Sequence, residues 1–117
     1  MTVSGDGVHL ESAGSIAILR LRGQDNQVTG QAIASLDVAG DRNTVGAGAV
    51  TVANLAGQEN KVTASAIDAV LINGDSNTVD GGTRIGFLTV NGNSNQIEAG
   101  TVEDRSMVGR DNEVTLK

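Results

Sequence analysis

Histidine occurs once in the 117 residues, at His9, and cysteine does not occur at all. A nucleophile activated by a base needs histidine or a thiolate near its partner, and a transition-metal site needs several imidazole or sulfur ligands. One histidine supplies neither. Carboxylates are more plentiful, but Asp25, Asp41, Glu59, Asp75 and Asp111 do not share one fixed position within their local motifs. The Gly-Gly-x-Gly-x-Asp string of calcium-binding nonapeptide solenoids is also absent. Paired carboxylates for glycoside cleavage need a cleft around the sugar, and Phe87 is the sole aromatic available to line one. The polar residue that does recur is asparagine. Its amide donates and accepts hydrogen bonds but neither titrates nor attacks, so what it offers is structural. The chain is therefore read as not an enzyme, with no metal site and no cofactor expected.

The asparagines are Asn26, Asn43, Asn60, Asn77, Asn95 and Asn112, each in the string Gly-x-x-Asn-x-Val/Ile that begins at Gly23, Gly40, Gly57, Gly74, Gly92 and Gly109. Successive copies are 17, 17, 17, 18 and 17 residues apart. Aliphatic columns keep the same register. Ile16, Ile33, Val50, Ile67, Ile85 and Val102 stand seven before the glycine, and Leu21, Val38, Leu55, Ile72, Val90 and Met107 stand two before it. Val28, Val45, Val62, Val79, Ile97 and Val114 follow it by five. Four before it stand Leu19, Leu36, Ala53, Val70, Leu88 and then Arg105. Leu-x-Val and Asn-x-Val alternate with the period of two of strands that turn one face inward. β-Branched residues and glycine dominate, and no stripe at 3.6 residues survives, which excludes helix.

A fixed period of this length is the signature of a stacked repeat. The expected fold is all-β: a single-domain parallel β-solenoid over residues 1–117, with about six coils of 17 residues. Each coil holds two or three short strands, and coils stacked at ~4.8 Å give a rod of roughly 30 Å. One coil cannot bury its own aliphatic face, so only the stack is stable. Sixteen glycines and no proline fit tight corners between uninterrupted strands. Residues near the N-terminus read as a degenerate extra coil, with Gly5 at the corner, Val3 and Leu10 in aliphatic columns, and Val8 where the others have asparagine. The asparagines are expected to bond to coils above and below and to satisfy backbone groups at the corner, with the glycine supplying positive φ.

Outward positions differ between the two sides of the coil. After the glycine they are polar. Before it, Ile18, Val52 and Phe87 alternate with Ser35 and Ala69, and Leu71 lies close by. If the Leu19 column points inward, these face solvent as a charge-poor strip suited to lateral contact; alternatively they turn a corner and pack inside. In the last coil Asp104 and Arg105 stand where earlier coils are mostly apolar, and the coil ends with Lys117; these charges discourage indefinite stacking without fully blocking it. Outward pairs such as Gln27/Thr29, Lys61/Thr63 and Gln96/Glu98 are mixed and charged, unlike the threonine lattice of ice-binding solenoids.

Net charge is −6 without a basic patch, so nucleic acid is not an expected partner. No apolar run approaches the ~20 residues of a membrane span. The first residues lack the basic and apolar regions of a signal peptide, which leaves a cytoplasmic or virion-associated protein unless a signal has been removed.

Gly-x-x-Asn-x-Val/Ile, six times over, resembles the core of curli-type bacterial fibre-subunit repeats, and the aliphatic interior is similar, less closely, to bactofilin-like cytoskeletal solenoids. The curli-type resemblance covers nearly the whole chain, although inward glutamines of curli repeats are here aliphatic or small, as at Val38 and Ala49. Both resemblances imply a self-assembling structural protein, a homo-oligomer or filament. The expectation is thus a non-enzymatic protein that self-associates through its ends or its charge-poor side. The alternative is a binding module on a cell or virion surface, taking a glycan or protein ligand on its polar face.

Overall fold

The computed structural model describes residues 2–116, and they form strands and corners only. In chain order the strands are β1 (Thr2–Ser4), β2 (His9–Glu11), β3 (Ser15–Gln24), β4 (Gln27–Thr29), β5 (Ala32–Asp41), β6 (Thr44–Gly46) and β7 (Ala49–Gln58). They continue as β8 (Lys61–Thr63), β9 (Ala66–Asp75), β10 (Thr78–Asp80), β11 (Arg84–Asn91), β12 (Gln96–Ala99), β13 (Thr101–Val108) and β14 (Glu113–Leu116). Odd-numbered strands make one seven-stranded parallel sheet and even-numbered strands a second, both in chain order along the axis. The fold is a parallel β-solenoid of seven coils, 30 Å in its longest dimension.

Register follows the repeat. Leu19 pairs with Leu36, Leu36 with Ala53, Ala53 with Val70, and Val70 with Leu88. The degenerate first coil takes its predicted alignment: Val3 stacks on Leu21, and Leu10 on Val28. The inward columns at Leu19, Leu21, Val28, Ile33, Leu36 and their successors are almost wholly buried. Burial of this kind is the main favourable term in folding.

The long strands bend. Ala17 and Ile18 both face outward, breaking the alternation, and the pairing steps over Ala17, Ala34, Thr51, Asp68 and Gly86. Each regular coil therefore has three inward runs, as at Ile16, at Leu19 with Leu21, and at Asn26 with Val28. Where the short strand returns to the bend, space permits only small residues. A Cβ on Gly81 would overlap the Ile85 side chain, and Ala64 and Ala99 fill equivalent places.

Two coils carry an eighteenth residue, and both place it at this return corner. In one, Thr83 N–H donates to Ser65 O at 2.8 Å while Gly82 O accepts from Gly100 N–H at 2.8 Å, so two residues share what is elsewhere one position. Gly82 takes φ +63, which glycine adopts without steric cost. The other addition lies between Glu11 and Ser15, where the register changes from 18 to 17.

Candidate functional site: the asparagine clamp and the lateral face

The Gly-x-x-Asn corner has one geometry in every coil from the second to the last. Each asparagine turns its side chain back toward the preceding coil. There its Oδ1 accepts the N–H at the asparagine position, and its Nδ2 donates to the corner glycine carbonyl. For Asn60 the partners are Asn43 N at 3.0 Å and Gly40 O at 2.9 Å. For Asn77 they are Asn60 N at 3.0 Å and Gly57 O at 3.1 Å. Asn26 does the same for the first coil, with Val8 N at 2.9 Å and Gly5 O at 2.9 Å. Asn26, Asn43, Asn60, Asn77 and Asn95 are buried, and no buried side-chain nitrogen or oxygen among the described residues lacks a partner.

This corrects the expected pattern. From Asn26 to Asn77 the amides do not reach both ways: between coils their side chains bond backward, and the forward bond is donated by the backbone N–H to the next asparagine's Oδ1. Asn95 adds a direct amide–amide bond, its Nδ2 donating to Asn112 Oδ1 at 3.0 Å. The ladder is directional, and Asn112, half-buried in the last coil, is spent on Gly92 O and Asn95 N.

The glycine is needed for two reasons. Its φ lies between +118 and +149 at the six repeats. Its hydrogen also faces the carbonyl of the glycine one coil earlier: a Cβ on Gly57 would overlap Gly40 O, the atom that Asn60 bonds. Two residues later the chain turns again, with Asp25, Arg42, Glu59, Ser76, Ser94 and Asp111 at φ 56 to 59. Left-handed conformation in Arg42 and Glu59 costs energy that asparagine or glycine there would not. Sequence reading missed this position because its residue types give no signal for it.

The chemistry-bearing side chains are scattered. His9 is exposed and lies 3.5 Å from Glu11. Arg42 bonds Asp25 one coil away at 2.9 Å, and Arg84 bridges Glu103 at 3.0 Å and Asp68 at 3.3 Å. The hydrogen bond and charge of Arg84 hold the Glu103 carboxyl below its ordinary range. No group of three metal-capable side chains converges among the described residues. A shallow depression of about 380 Å³ beside the bend is lined by Ser15, Ile16, Ala17, Ala34 and Thr51, none of them titratable.

The lateral residues fall on one surface. Ile18 is 49% exposed, Val52 40% and Phe87 62%, all pointing outward in one column. Leu71 is half-buried in the neighbouring column. The inward alternative for these side chains is thereby removed. The charged last coil is also placed: Arg105 occupies the core column of Leu88 but is exposed, and Leu116 stands, 57% exposed, where earlier coils have alanine or glycine.

Fold and clamp together define a class, the parallel β-solenoid with an internal asparagine ladder. No family model matches the chain, and neither a curated protein nor a solved structure is significantly similar to it. Solenoid shape alone does not choose between the curli-type and bactofilin-like resemblances.

Proposed function

We propose that the protein is a non-enzymatic structural element that self-associates, a rigid rod whose side rather than its interior makes contacts. The observation that carries this reading is the exposed Ile18–Val52–Phe87 column on a rod whose inward polar side chains are fully engaged. The sheet already fixes the backbone that carries these side chains, so contact has only side chains left to order.

Chain ends are the weaker choice for that contact. Head-to-tail stacking would set Val8 of one copy against the last coil of another, and valine cannot clamp Gly109 O and Asn112 N. Arg105 and Leu116 would enter the junction where buried leucine and alanine stand inside the rod. Inward charges of this kind are a recognised means of closing a sheet to further pairing.

Sedimentation velocity of the full chain from ~10 µM to ~1 mM tests the proposal; interfaces of modest size dissociate in this range. Concentration-dependent association supports it. A strict monomer throughout overturns it.

A further inference from the structure

After the bend, the outward surface of the long strands consists of three columns. The first runs Ile18, Ser35, Val52, Ala69, Phe87, Asp104, and the second Arg20, Asp37, Asn54, Leu71, Thr89, Ser106. The third runs Arg22, Ala39, Ala56, Asn73, Asn91, Val108. Charge along this face is unequal. Arg20 and Arg22 stand at its first full coil, with Asp37 beside Arg20, and Asp104 stands at its last. The four ion pairs of the described residues use none of these side chains. Between the two ends the middle coils carry no charge on the face.

We propose that this face binds the same face of a second copy with the two rods antiparallel, so that Asp104 of each copy packs on Ile18 of the other with Arg20 beside it. The inference rests on the self-association proposed above and names its surface and orientation. A two-fold axis across the middle of the rod, along the strand direction, keeps each column opposite itself and reverses the order of coils. Phe87 then meets the small Ser35 of the partner copy, and Val52 meets Ala69. Such an arrangement is isologous, the usual symmetry of a homodimer. Parallel rods, related by a two-fold along the rod axis, instead set Arg20 on Arg20, gather the Arg20 and Arg22 side chains of both copies at one end and leave both Asp104 side chains at the other, and like charges across an interface are strongly disfavoured. A face about 30 Å long and roughly 17 Å wide covers ~500 Å² per copy, the lower limit for a specific dimer. The dimer is accordingly a weak one, and its orientation is set by charge.

Two measurements on the full chain test this. In sedimentation velocity, Arg20→Glu and Asp104→Arg should each raise the dimer dissociation constant roughly tenfold, and the double variant should recover most of the loss. The chain has no cysteine, so introduced thiols report orientation directly. Opposed Cα atoms of two packed sheets are ~10 Å apart, beyond disulfide reach, so the probe is a short bis-maleimide: antiparallel packing predicts that it links Asp37→Cys to Thr89→Cys when the two are mixed, while neither variant links to itself. Self-linking of each variant alone means parallel rods and overturns the inference. Association that ignores both charge changes and gives no mixed cross-link also overturns it, and leaves self-association through another surface standing. A monomeric wild type removes both proposals together.

Discussion

Replacing Asn60 with alanine removes two hydrogen bonds from the centre of the stack in one step. Asn43 N–H loses its acceptor and Gly40 O loses its donor, while the bond from Asn60 N–H to Asn77 Oδ1 is kept. Each orphaned buried group costs about 1–3 kcal/mol, so the substitution should destabilise by ~2–6 kcal/mol. That is a large part of the ~6–18 kcal/mol expected for a domain of this length. With a urea m-value of ~1–2 kcal/mol per M, the midpoint should fall by at least ~1 M. Asn112→Ala is the internal control. It removes the bonds to Gly92 O and Asn95 N and the one from Asn95 Nδ2, but at a water-accessible end, so ~1 kcal/mol is expected. Asn60→Asp refines the test. It keeps the acceptor for Asn43 N–H but sets a carboxylate against Gly40 O. The introduced carboxyl has its pKa raised on folding, because only the protonated form can donate to Gly40 O and burial disfavours the charge. This variant should therefore be most stable in acid and lose stability as pH rises through that raised value. A shift below ~0.5 kcal/mol for Asn60→Ala, or equal losses at Asn60 and Asn112, would refute the clamp, since an exposed amide gives that result.

Gly57→Ala should abolish the folded state or cost more than ~3 kcal/mol, because its Cβ overlaps Gly40 O at a φ of +123; circular dichroism and urea melting check this. Val52→Lys should leave the melting temperature within a few degrees and weaken self-association in sedimentation, since Val52 is 40% exposed and packs outward. Arg84→Ala should let the Glu103 carboxyl, now held low, return to its ordinary range in an NMR pH titration. The stabilisation from that pair is present above the ordinary carboxylate range and fades as pH falls, and full exposure of both partners keeps it small.

The coil was legible because the repeat states its own register: glycine, asparagine and three aliphatic columns each return together, and a strand period within the coil leaves no other fold. Even the first coil could be aligned through Gly5 and Val3 without its asparagine. The clamp was only half legible. Asn60 could be seen to need partners, but whether it reaches back or forward depends on how the chain rises between coils, which composition does not encode. The left-handed residue two after each glycine was invisible because Asp, Arg, Glu and Ser all occupy it. The orientation of Ile18 and Phe87 turned on a bend at Ala17 and Gly86, where the alternation slips by one. That bend is set by sheet closure and not by a distinctive residue.

Residue-resolved amide hydrogen exchange on the full chain addresses the stacked clamp most directly. Protection should recur every 17 or 18 residues, with the amides of Asn43, Asn60 and Asn77 among the slowest and that of Asn112, which no later asparagine receives, exchanging fast. In Asn60→Ala the Asn43 amide should lose protection while the Asn77 amide keeps it. Protection without that rhythm, or loss at Asn77 in place of Asn43, would contradict the account.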